Sequence, residues 1–273
     1  MAKIKKIEVI AEIGWNFLGD IQLAKQMIKA AHTSGCTHAK FQTWSVDRLK
    51  HGAWDRDGRI DIYRKAELSL DDHFELKKYC DELGIIFMSS VFSLEDAKLL
   101  ESVTTKCVKI PSFESRNFEL ISYCTEKFDK VYISVGTATW EEIEYLTKRF
   151  VDINKTVLMH CVSTYPLKAE NANINRLGAL KKLVQYVGYS DHMQGVESAK
   201  VAMEFDVDVI EKHFTTDNTL PGRDNKFACT PHHMHDLTNY IKMREKMYSL
   251  DTLDYQDCES DSRENYTGRF NKQ

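Results

Sequence analysis

Apolar and polar positions alternate in blocks along this chain, and the period changes from block to block. Short runs of apolar, β-branched residues occupy 7–13, 39–42, 85–89, 107–110, 130–134, 157–161, 186–190 and 209–213. Several of these runs are apolar on consecutive positions, which suits strands covered on both faces of a parallel sheet. The stretches between them have helical spacing. Residues 21–34 place Leu23, Met27, Ile28 and Ala31 on one stripe, and 71–83 carry Phe74, Leu76, Tyr79 and Cys80. The stretch 139–150 opens Thr-Trp-Glu-Glu, which makes Thr139 an N-cap candidate with acids in the first turn. Eight strands alternating with eight helical segments predict an α/β fold, a closed (β/α)8 TIM barrel in a single domain.

Two segments interrupt the alternation. Residues 43–69 hold Trp44, Trp54 and many charges. They read as a long βα loop, with room for a short helix, on the face where the strands end. From about residue 250 the chain turns polar and acidic. The expected division is therefore a barrel over 1–249 and a docked or flexible extension over 250–273.

Composition narrows the class. A chain of 273 residues, 42% hydrophobic and 29% charged, has the material for one large core. Its formal charge of −4 gives no broad positive field, so nucleic acid is not an expected partner, although a local anion pocket is compatible with it. No apolar run approaches the roughly 18 residues of a membrane span, and the basic opening lacks a signal-peptide core. Seven scattered cysteines without a CxxC pair read as reduced thiols, mostly small core hydrophobes, in a cytoplasmic protein.

The chemistry collects where predicted strands end, positions that a barrel brings to one face. Lys40, Lys109, Ser112, Ser134 and Gly136 have the charge and donors to hold a phosphate or carboxylate. His192 and His213, from neighbouring strands, suit one divalent metal with water completing the shell. Glu12, Glu114, Glu211 and Asp224 supply acid–base groups or partners for sugar hydroxyls. Singly, each has an ordinary structural reading, a solvated lysine or a hydrogen-bonded core histidine. Their recurrence at six or seven strand ends is what argues for a site. The run His232-His233-Met234-His235 is discounted as a metal tract, because it follows Pro231 at a helix start where neighbouring side chains diverge. Trp15, Phe17 and Trp44 either stack on a ligand or roof the barrel, with Trp15 and Phe17 assigned to the ligand side.

At these motifs the chain resembles the N-acetylneuraminate (sialic acid) synthase family. The matching segments are EIGWN at 12–16, KFQ at 40–42, KIPSFE at 109–114 and SVGT at 134–137. HCVSTYP at 160–166, GYSDH at 188–192, EKHFT at 211–215 and LPGRD at 220–224 follow in family order. The resemblance implies condensation of phosphoenolpyruvate with an open-chain N-acylated amino sugar, releasing phosphate and a nine-carbon 2-keto acid. It implies a divalent metal, manganese before magnesium or cobalt, on His192 and His213. It places phosphoenolpyruvate on Lys40, Lys109, Ser112, Ser134, Ser163, Tyr165 and Ser190. Glu114, Glu211 and Asp224 match its acidic positions, and Glu12 and Gln42 match active-site positions. The chain departs from the pattern at Phe17, where histidine is usual, at Arg223, where proline is common, and at Ser163. It also stops before the antifreeze-like domain of many members. A homodimer is the expected assembly, with a separately encoded antifreeze-like protein as a further partner. Pseudaminic- or legionaminic-type precursors, another aldose, or a non-catalytic sugar- or partner-binding barrel stay open as alternatives.

Overall fold

The protein is described by a computed structural model covering residues 6–50, 52, 56–250 and 252–270. Eight parallel strands close on one another in chain order. They are β1 (Glu8–Glu12), β2 (His38–Thr43), β3 (Ile86–Val91), β4 (Val108–Ile110), β5 (Val131–Ser134), β6 (Thr156–Cys161), β7 (Tyr186–Asp191) and β8 (Val209–His213). β1 pairs with both β2 and β8, so no strand edge is left open. Helices α1 (Ile21–Thr33), α2 (Arg59–Ala66), α3 (Leu70–Leu83), α4 (Leu94–Val103) and α5 (Phe118–Lys127) belong to the first half. α6 (Trp140–Phe150), α7 (Arg176–Leu180), α8 (Glu197–Ala202), α9 (Pro231–Met247) and the short α10 (Ser260–Asn265) complete the chain. The (β/α)8 barrel expected from the pattern is the fold observed.

Local chemistry starts the helices where the pattern placed them. Asp20 caps α1, and capping boxes Ser69–Asp72 and Thr139–Glu142 start α3 and α6. Pro231 occupies the first turn of α9, whose cap, Thr230, exchanges hydrogen bonds with His233. His232 and His235 are exposed, so the histidine run diverges as the helix geometry requires. On α3 the stripe is shifted from the expected one. Phe74 is exposed, and His73 is buried in its place, with one ring nitrogen 2.8 Å from Thr43 Oγ1 and the other 2.7 Å from the Ser69 carbonyl. Two hydrogen bonds satisfy a buried imidazole that hydropathy alone assigns to the surface. The 43–69 excursion contains a 3-10 turn at Val46–Arg48 as well as α2. Trp54 lies outside the described residues.

Two apolar layers result. Outward-facing strand residues such as Val9, Ala11, Phe41 and Ile133 pack beneath the helices. Inside the barrel a smaller set, including Ile10, Met88, Tyr132, Val157, Met159 and Val209, fills the middle. Below this plug, at the N-terminal ends, Glu8 bonds Lys130 at 2.7 Å and Tyr132 at 2.6 Å. Above it, at the C-terminal ends, every inward position is polar or ionisable from β1, β2, β4, β5, β7 and β8, and that face holds the candidate site. Beyond residue 250 most positions are exposed, and a 3-10 turn at Asp257–Glu259 leads into the short α10.

Candidate active site

Strand register decides which side chains meet. Glu12 lies level with Lys40 on β2 and with His213 on β8; Ser90 lies level with Lys109; Ser190 lies level with Glu211. In parallel strands level residues point to the same face, so this register turns six distant segments into one cluster.

A buried charge network fills the centre. Lys40 Nζ sits 2.7 Å from Glu12 Oε2 and 3.7 Å from Glu211 Oε1. Lys109 Nζ is 2.9 Å from Glu211 Oε2. Gln42 donates to Glu12, and Ser190 Oγ donates to Glu211 Oε1 at 2.9 Å. The four ionisable groups with these contacts are individually 2–7% exposed, so their attraction is little screened. Burial pushes the Glu211 carboxyl up, but the ammonium groups of Lys109 and Lys40 hold it down at about 2. Lys40 is depressed by burial and raised more by Glu12 and Glu211, so it keeps its proton. Burial wins at Lys109, which is lowered. Glu211 is thus an ionised carboxylate shared by two lysines.

Beside this network lies an uncharged cradle. The Gly136 N–H donates to Ser112 Oγ at 3.2 Å. A side chain at Gly136 is excluded, because its Cβ would meet Ser112 Oγ at 2.7 Å and Ser163 Oγ at 2.8 Å. Ser134 Oγ is buried without a hydrogen-bond partner. An unpaired buried hydroxyl costs stability unless a ligand satisfies it, so the cradle fits an oxygen-rich anion next to the two ammonium groups.

Next to both, the His192 and His213 rings lie 5.4 Å apart, with the Tyr165 ring 4.1 Å from the first and 5.7 Å from the second. His192 Nδ1 is 2.7 Å from the Val162 carbonyl, which assigns a proton to that nitrogen; burial lowers this imidazole, but Cys161 and the carbonyl raise it above its ordinary value. His213 is held well below its ordinary value by burial, by His192 and by Lys40, so it is neutral. Its Nδ1 has no hydrogen-bond partner; the nearby Asp224 Oδ2 is 3.4 Å away. Among the described residues no three His, Cys, Asp or Glu side chains are grouped to hold an ion by themselves. Two imidazoles, one with an orphaned nitrogen, therefore fit a divalent cation whose other ligands are water and substrate oxygens. Asp224 itself is pushed up to about 6 by burial, against a 2.6 Å hydrogen bond from Trp15 Nε1.

The structure brings together Glu12, Lys40, Gln42, Lys109, Ser112, Ser134, Gly136, Ser163, Tyr165, Ser190, His192, Glu211, His213 and Asp224. Glu114 stands apart: it ends a 3-10 turn and its carboxylate accepts from Asn117, 3.0 Å away in the same loop. Phe17 is not ligand-facing. Its ring is 1% exposed and packs edge-on to Phe41, 5.8 Å away, beneath the site. Trp44 is likewise core. Sequence reasoning missed Ser90, which accepts from Lys40 Nζ at 2.8 Å. The expected third strand stopped at 89; one more residue at period two would have added it. It also took Cys161 for core. Its sulfur lies 3.9 Å from both Ser163 Oγ and His192 Nδ1. Burial pushes that thiol up, but His192, Ser112 and Lys109 bring it to about 7.

Residues 27–251 match the NeuB family. The chain belongs to that family. It is 34% identical over 257 residues to the N,N'-diacetyllegionaminic acid synthase of Legionella pneumophila, spanning 87% of this chain and 72% of the relative. It is 31% identical to the pseudaminic acid synthase of Campylobacter jejuni, over 82% of this chain and 69% of that one. The N-acetylneuraminic acid (sialic acid) synthetase of Leptospira borgpetersenii, a structure in complex with citrate, superposes with a TM-score of 0.84 at 28% identity. The match covers 97% of this chain and 93% of that one. The NeuB chain described here is accordingly an enzyme of the sialic acid synthase type. Among the described residues no helix is long and apolar enough to cross a membrane.

Proposed function

We propose that this enzyme joins phosphoenolpyruvate to the open-chain aldehyde of an N-acylated amino sugar, giving a nonulosonic 2-keto acid and inorganic phosphate. The observation that carries it is the placement of two buried lysines on one carboxylate, beside the Gly136 cradle and in the same barrel mouth as two imidazoles 5.4 Å apart. Phosphoenolpyruvate carries a phosphate and a carboxylate on one carbon, C2. Lys40 and Lys109 neutralise that paired charge, while Ser112, Ser134, Ser163 and the Gly136 N–H direct its oxygens.

The residues support each bond change. The enol carbon attacks the sugar aldehyde, forming the carbon–carbon bond and leaving positive character on C2. Glu211, ionised between the lysines, stabilises that carbon. Water adds at C2, and a carboxylate at the mouth, Asp224 or Glu12, accepts its proton and passes it to the alkoxide left on the former aldehyde oxygen. Phosphate then leaves with the C2–O bond electrons and takes up the C2 hydroxyl proton as the ketone forms. A divalent cation on His192 and His213, manganese by preference, would supply Lewis-acid polarisation of the aldehyde oxygen. Tyr165, ring to ring with both histidines, walls the acceptor side. Relatives named for legionaminic and pseudaminic acids support a diacetamido-trideoxy hexose as the acceptor class.

The test is phosphate release from phosphoenolpyruvate with manganese and a panel of amino sugars. Release with at least one acylated amino sugar is expected; none with any acceptor overturns the reading. His192→Ala and His213→Ala should each abolish metal-dependent turnover while circular dichroism stays unchanged. Turnover that survives either change removes the two-histidine site.

A further inference from the structure

One indole joins three parts of the barrel mouth and has no role in the chemistry proposed above. Trp15 sits in the turn after β1, directly behind the positive-φ Gly14. Its Nε1–H donates to Asp224 Oδ2 at 2.6 Å, and the same carboxylate oxygen lies 3.4 Å from His213 Nδ1. The other face of the problem is α2. The Trp15 ring stacks on Tyr63 of that helix at 4.8 Å and 29°, and Trp44 meets both rings edge-on. One residue from Asp224, Arg223 Nη1 bonds Asp57 Oδ2 at 3.1 Å, and Asp57 also pairs with Arg59 of α2 at 2.8 Å. The 43–69 excursion and the loop after β8 are thus tied twice, once at the site and once outside it.

A carboxylate on a loop turns about its side-chain bonds unless something holds it. The indole N–H is a fixed donor on a ring that is itself clamped between aromatics, so it holds one oxygen toward His213. A phenyl ring would stack as well but would donate nothing. We propose that Trp15 is a positioning residue for the acceptor half of the reaction. It fixes Asp224 beside His213, and its stack on Tyr63 makes that placement depend on α2 being docked. This rests on the synthase reading.

Three variants test it: Trp15→Phe, which keeps the ring and loses the donor, and Trp15→Leu and Tyr63→Leu, which break the stack. For Trp15→Phe the expected result is a fall in kcat/KM for the amino sugar of roughly tenfold or more. Calorimetric affinity for phosphoenolpyruvate and the melting temperature should stay at wild-type values. Combined with Asp224→Ala, the Trp15→Phe change should cost nothing further, since both remove one interaction. Hydrogen exchange at the amides of α2 should rise in both leucine variants while the barrel strands stay protected. Wild-type turnover in Trp15→Phe overturns the proposal, as do losses that multiply with Asp224→Ala. Loss of phosphoenolpyruvate affinity in step with turnover also overturns it, because that marks general damage. Should the wild-type protein release no phosphate at all, the synthase reading falls, and exchange alone decides the clamp. Unchanged exchange of α2 in Trp15→Leu overturns it; a rise confined to α2 upholds it.

Discussion

At the scale of single residues, the site depends on atoms that are missing as much as on those present. Gly136 is the sharpest case, since a Cβ there would occupy the space between Ser112 and Ser163. Gly136→Ala should lower kcat/KM for phosphoenolpyruvate on the order of a hundredfold, the scale of a sub-ångström displacement at a reacting centre. Thermal melting should move little, and steady-state phosphate release with parallel calorimetry separates the two effects. His38, at the opposite end of the barrel, gives a stability prediction. Burial pushes it down to about 4, with Lys130 and Lys106 opposing protonation and Glu8 and Glu211 favouring it. An unfolded histidine titrates near 6.5. Above that value neither state binds the proton, so the favourable situation is complete there. Between about 6.5 and 4 the unfolded chain takes up a proton that the folded chain refuses, and stability falls as pH drops. The full loss is about 3 kcal/mol. Urea midpoints at pH 7 and pH 4.5 check it, and His38→Gln should lose less on acidification than the wild type.

At the scale of elements, the loops that carry the cradle are set by helix starts. The chain runs from Ser134 through Gly136 directly into the Thr139 capping box of α6. Thr139→Ala should cost about 1 kcal/mol, the ordinary worth of an N-cap. Because the cap is exposed and the cradle is held by Ser112 from β4, turnover should survive at temperatures below the lowered melt. Denaturant unfolding and kcat on the same sample check both halves. The elements also show how far pattern reading reaches. All eight strands were legible, because burial on both faces keeps apolar residues recurring along each strand even where its end turns polar. Ser90 was not, since its serine at a strand end reads as turn chemistry and its partner Lys40 is fifty residues away. Phe17 failed for the opposite reason. An aromatic beside a motif looks like a ligand platform, and only packing on Phe41 shows that it faces inward.

At the scale of the molecule, closure makes the barrel one cooperative unit, with β1 held by β8 as firmly as by β2. The segment beyond α9 contributes little to it. Leu253 is fully exposed, Phe270 90% exposed and Tyr255 and Tyr266 about half exposed, so the segment's apolar side chains gain little burial. A chain ending at residue 249 should therefore melt as a single transition at nearly the same temperature and release phosphate at the same rate. Differential scanning calorimetry would show otherwise if the tail packs on the barrel, and a separated second transition would contradict the single cooperative unit. By itself, the sequence determined the periodicities, the caps and the inventory of strand-end donors, because these follow from neighbours within a few residues. It determined the candidate chemistry for the same reason: Lys, Ser, His and Glu recur where the strands stop. Tertiary structure alone decided that Glu211 serves two lysines, that Glu114 turns to its own loop, and that Asp224 answers to Trp15. Those are contacts across the barrel, fixed by register and side-chain direction. A charge's partner and protonation in a water-poor interior depend on which distant groups the closed sheet sets beside it.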